Sequence, residues 1–167
     1  MFDVLAEEFA NPFAPIPFFV VVARLLGAIV LGGLIGWERH IHNKPAGMRT
    51  HMMIALAACV FTLVAFGMIE TPWAGDERVK FDPLRLIAAV TSGVAFLAAG
   101  TIINARGHIH GLTTGAGMWL AGAVGLATGA GQIPLAALAT VMALIVLWFL
   151  RRFESNPEDM EPPAGQA

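Results

Sequence analysis

The chain has 167 residues, enough for one domain, yet 57% of them are hydrophobic and only 13% charged, and the mean hydropathy is +0.71. That balance lies far from a soluble average, and no basic run is wide enough to suggest a nucleic-acid partner, the net charge of −2 being uninformative. What remains is a protein whose natural partner is the lipid bilayer.

The opening segment, residues 1–16, carries Asp3, Glu7 and Glu8 and no Lys or Arg. It lacks the basic start of a cleavable signal, so the first apolar run is expected to be retained. Five apolar runs then follow: Pro17–Trp37, Met52–Ile69, Leu86–Ala105, Leu112–Ala130 and Ile133–Leu150. Each is long enough at about 1.5 Å per residue to approach the roughly 30 Å of a bilayer core. None alternates as a barrel strand would, and backbone satisfaction in lipid favours helices. The predicted fold is all-α, a polytopic membrane protein with five transmembrane helices over residues 17–150. The polar, proline-rich stretch 151–167 is expected to be a disordered cytoplasmic tail.

Lys and Arg set the orientation, because they resist translocation. Arg39, Lys44, Arg49, Arg106, Arg151 and Arg152 fall on one face, and Arg78, Lys80 and Arg85 on the other, among many acidic residues. The N terminus is therefore placed outside and the C terminus in the cytoplasm. The single Cys59 allows no internal disulfide.

Small residues mark helix seams where backbones approach closely. Gly32 and Gly36 follow Ala28 on the first span. Ala88, Ser92, Ala95 and Ala99 form a stripe on the third, joined by Gly93 and Gly100. Gly111, Gly115, Gly122, Gly125 and Gly129 lie along the fourth with Met118. Spans three and four are expected at the centre, and the seams also make a homodimer an expectation.

Two polar groupings stand out. Near the outer face, Arg24 lies inside the first span and Asp82 opens the third beside Pro83, with Arg85 a turn later. Asp82 is either a helix cap alone or the partner of Arg24. At the inner face Glu38 and Arg39 end the first span, facing Lys44, Arg49, Thr50 and His51. These charges serve as a topology anchor or as a clasp that holds the loop to the bundle. All five histidines fall on that face, and His40, His42, His108 and His110 form two His-x-His pairs that would suit a transition metal if their loops met. No carboxylate occupies the core of a span, so a magnesium site, which needs several oxygens, has no obvious ligands there. There is no Gly-x-Ser-x-Gly elbow, phosphate-binding glycine loop or His-Glu-x-x-His helix, and no enzymatic role is expected.

Three stretches carry a resemblance. RLLGAIVLGGLIGWERHIHNKPAGMRTH, DPLRLIAAVTSGVAFLAAGTI and GLTTGAGMWLAGAVGLATGAG, in that order on the first, third and fourth spans, together resemble the MgtC/SapB family of bacterial inner-membrane proteins. The sequence departs from the family pattern at His40, usually Glu, at Ala89, usually Gln, at Ala95 and Ala98, usually Gly, and at Gln132, usually aromatic. The resemblance implies a short form without the soluble C-terminal domain of longer members. It implies a regulatory or stress-adaptation role in magnesium homeostasis, tied to magnesium limitation and to life under acid or intracellular stress, and so to virulence. That role would be exerted on other membrane proteins such as the ATP synthase or a transporter. No cofactor is expected beyond a divalent cation, and the alternative is a divalent-cation transporter or channel.

Overall fold

The computed structural model describes residues 16–69, 82–105 and 108–151. The expected outer segment before residue 16, the tail after 151 and the loop residues Arg106 and Gly107 lie outside the described residues. Helices α1 (Phe18–Ile41), α2 (Met48–Ile69) and α3 (Pro83–Ala99) are followed by strands β1 (Ile103–Ala105) and β2 (His108–His110), then by α4 (Leu112–Gly129) and α5 (Ile133–Arg151).

The helical reading holds, with corrections at the ends. α1 runs four residues beyond Trp37, and α2 starts four before Met52, so the charged junction is largely helix and its connection is only residues 42–47. The third run breaks at Gly100 instead of continuing to Ala105. Residues 103–105 and 108–110 form a small antiparallel hairpin with Asn104 opposite Ile109, which the alternation of His108, Ile109 and His110 suits. By length and composition, α1 and α2 suffice to cross a membrane, while α3 and Ile133–Phe149 of α5 are apolar but shorter.

α4 is the axis of the bundle and touches all four other helices, whereas α3 leans on α4 and only lightly on α2. The expectation that the third span shares the centre is therefore corrected. α3 packs through Val90, Val94 and Ala98. Its small-residue stripe, Ala88, Ser92, Ala95 and Ala99, is exposed. Space around Gly93 is open, and Gly100 merely follows the helix end, with only α3 carbonyls within 4 Å of an added Cβ.

Elsewhere the glycine seams are real contacts. A Cβ at Gly32 would lie 2.7 Å from the Ala55 Cβ, one at Gly36 2.7 Å from the Met48 Cα, and one at Gly125 2.2 Å from the Ala55 carbonyl oxygen. At Gly129 it would meet Thr62 and Cys59, at Gly122 the Val94 side chain, and at Gly115 it would make ordinary contact with Ala98. α1, α2 and α4 thus meet backbone to backbone.

The interior is consequently rich in small side chains, with Ala28, Ala55, Ala58, Cys59 and Ala121 buried beside a few larger ones such as Ile35 and Val124. Large apolar groups point outward: Phe19 is 82% exposed, Phe96 81% and Trp148 67%. Soluble cores have the opposite arrangement. Small-inside packing needs no hydrophobic drive between helices and leaves a circumference suited to lipid.

Candidate functional site: the polar end of the bundle

The polar end is built where α1 stops. Arg39 and His40 occupy its last turn, where cations complement the carbonyl end of the helix dipole. Asn43 then adopts a left-handed conformation with φ 51°, which asparagine tolerates better than most residues. The Asn43 and Lys44 amides donate to the His40 and Arg39 carbonyls at 3.1 Å each, and Pro45 keeps the helix from resuming. The absent side chain at Gly36 lets α2 begin directly beneath this turn.

Glu38 and Arg39 are both buried, and Arg39 Nε donates to Glu38 Oε2. His42 Nδ1 donates to the Glu38 carbonyl at 2.6 Å and stands 3.2 Å from Glu38 Oε1, an oxygen that accepts no hydrogen bond. The clasp expected with Lys44 and Arg49 is replaced by a narrower one: Glu38 is held by Arg39 and His42, within α1 and its cap. Lys44 and Arg49 are exposed and pair with no acidic residue among the described ones. Thr50 is half-buried.

His51 was expected on the surface with the other histidines and is instead in the core, at 0% exposure. Its Nδ1 lies 2.9 Å from the Gly47 carbonyl. Its Nε2 faces Gly117, where a Cβ would stand 3.1 Å away, and has no hydrogen-bond partner. The signal was present in the sequence: His51, Ala55, Ala58, Thr62 and Ala65 recur at intervals of three and four along the buried face of α2.

The histidine pairs converge only in part. His42 and His110 line one cavity of about 360 Å³ together with Arg39, Lys44 and Thr114. His40 is exposed beside Gly47, and the His108 side chain lies outside the described residues. Among the described residues no three His, Cys, Asp or Glu side chains come together as metal ligands, so the expected four-histidine metal site is not assembled there. Gly111 forms the wall of the cavity between β2 and α4. Its φ is +89°, and a Cβ would be 2.1 Å from the Thr101 carbonyl oxygen, so only glycine fits.

At the opposite end the expected pairing of Arg24 with Asp82 is corrected. Arg24 Nη1 donates to the Gly129 carbonyl at 2.9 Å, one of the last carbonyls of α4, which a cation satisfies while complementing the dipole. Asp82 is exposed and caps α3, its Oδ1 accepting from the Leu84 amide at 2.9 Å. Arg85 is exposed in the first turn of that helix.

Fold and site together define a class: an all-helical bundle with a small-residue interior, an apolar exterior and one polar, cation-rich end. The chain belongs to the MgtC family, whose family model matches residues 25–156. It is 40% identical over 135 residues to Protein MgtC of Brucella abortus, covering 81% of this chain and 53% of that one. It is 39% identical over 131 residues to Protein SapB of Bacillus subtilis, covering 78% and 56%. It is also 37% identical over 127 residues to the Escherichia coli K12 protein named "Putative magnesium transporter YhiD", covering 75% and 58%. The chain thus spans little more than half the length of these relatives. No solved structure matches it.

Proposed function

We propose that this chain is a multi-pass protein of the bacterial inner membrane, with five crossing helices, that serves magnesium homeostasis under stress by acting on other membrane proteins, with no catalytic step of its own. One observation carries the preference for regulation over carriage: the buried side-chain oxygens are largely engaged, Glu38 Oε1 being the one buried oxygen without a hydrogen-bond partner among the described residues. Thr62, Thr128 and Thr140 donate to the carbonyls of Ala58, Val124 and Ala136 one turn back on their own helices, at 2.7–2.9 Å, and the Glu38 carboxylate is tied to Arg39. Magnesium holds its water tightly and demands near-octahedral oxygen ligation. A path through small apolar side chains offers it no replacement for that shell.

The surface left for partners is on α3. Its outer stripe, with Ser92 and Phe96, is exposed. A second membrane protein, such as the ATP synthase or a transporter, or a second copy of this chain, would find there the small residues that membrane helices pack against.

The second reading is a divalent-cation carrier, favoured by the name of the Escherichia coli relative. Liposomes containing the purified chain and a trapped magnesium indicator separate the two. Influx equal to that of protein-free vesicles is expected. Saturable, protein-dependent influx would establish the carrier.

A further inference from the structure

We propose that the polar end of the bundle is a binding site for one anionic phospholipid, with the phosphate in the cavity beside Arg39 and one acyl chain in the adjoining groove along α4 and α5. The cavity collects cationic and hydrogen-bond-donating side chains from three segments. Arg39 and His42 come from the end of α1, Lys44 from the connection, and His110 from the strand before α4. Among the described residues no carboxylate lines it. Glu38 neutralises part of Arg39 but engages only Nε, so the two Nη groups of this side chain, 5% exposed, are left to bind a ligand oxygen. The fork geometry of guanidinium suits a phosphate.

The start of α4 adds to this field. Gly111 caps the helix without a side chain, so the amides of its first turn lack the usual side-chain acceptor, and Gly111, Leu112 and Thr113 line the cavity. The Thr114 hydroxyl lies on the same wall.

A second, independent feature selects a lipid over a free anion. A groove of about 360 Å³ lies between α4 and α5, floored by Ala116, Gly117 and Ala143 and walled by Leu120 and Met142. It shares Thr113, Val146 and Leu147 with the cationic cavity, so the two adjoin. From Thr113 to Leu120 it follows about 10 Å of helix rise. A cationic pocket adjoining an apolar channel matches a phosphate ester joined to a hydrocarbon chain. A choline headgroup would bring its own cation against Lys44 and the histidines, which makes the site selective for lipids of net negative charge.

The test is native mass spectrometry of the full chain in detergent, titrated separately with phosphatidylglycerol, phosphatidylcholine and inorganic phosphate. Phosphatidylglycerol is expected to bind at about tenfold lower concentration than phosphatidylcholine, and Lys44→Gln to weaken it about fivefold. Ala116→Leu, at an exposed position on the groove floor, should weaken the lipid by filling the channel. Both substitutions fall on exposed residues and leave the core untouched. Equal binding of the two lipids would overturn the proposal. So would phosphatidylglycerol binding that both variants leave unchanged, or phosphate displacing the lipid at the lipid's own concentration, which would reduce the site to a simple anion pocket.

Discussion

Replacing Gly125 with alanine is expected to destabilise the bundle by about 3 kcal/mol, the upper range for overpacking a close-packed interior. The added methyl would stand 2.2 Å from the Ala55 carbonyl oxygen and 2.8 Å from the Ala58 Cβ. The first obstacle is backbone, so no rotamer change relieves it, and α2 and α4 must separate along their contact. Because α4 touches every other helix, the displacement cannot stay local. Gly93→Ala is the matched control. It has nothing within 4 Å of the new methyl, and alanine in place of a mid-helix glycine gains about 0.5–1 kcal/mol. Thermal unfolding in detergent should therefore move in opposite directions for the two variants. A Gly125→Ala protein that melts with the wild type would mean that α2 and α4 do not meet as described.

Glu38→Ala is expected to cost about 3–5 kcal/mol, the range for removing one partner of a buried ion pair. Arg39 is 4% exposed, and its guanidinium would lose the only acidic partner it has among the described residues. A paired replacement gives a sharper result. Glu38→Leu combined with Arg39→Met removes both charges together, and since apolar isosteres often match buried ion pairs, the double variant should regain most of the lost stability. Urea or thermal denaturation of the two single variants and the double variant measures the coupling. Additive losses would show that Glu38 and Arg39 act independently.

The number and order of the helices were legible because each apolar run is long and uninterrupted. Their ends were less so. Hydropathy stops α1 at Trp37, yet Glu38 and Arg39 neutralise one another and the helix continues to Ile41. The spacing of Gly125 and Gly129 on α4 signalled the backbone approach of α2, whereas Gly122 meets the Val94 side chain and Gly111 serves a positive-φ cap. The stripe on α3 has the same spacing and faces outward, because spacing identifies a helix face without saying what covers it. The partner of Arg24 was invisible for another reason: it is the carbonyl of Gly129, and backbone acceptors leave no mark on residue identity. Asp82, the acidic residue on the same side, caps its own helix instead. His51 could have been found from its register with Ala55 and Ala58, but its neighbours in sequence, Arg49 and Thr50, drew it towards the surface group. The His-x-His pairs were separated by folding, as the exposed His40 and the cavity-lining His42 and His110 show.

Everything placed at the Arg39 end depends on the bundle crossing a membrane with that end inside the cell. Single cysteines at Asn43 and at Gly75, each in a Cys59→Ala background, test this in intact cells with a membrane-impermeant thiol reagent. Lys and Arg concentrated at one end resist translocation, so Asn43→Cys is expected to stay unlabelled until the cells are opened, while Gly75→Cys reacts at once. Labelling of Asn43→Cys in intact cells, with Gly75→Cys protected, would contradict the orientation, and protection of both positions would contradict the crossing itself.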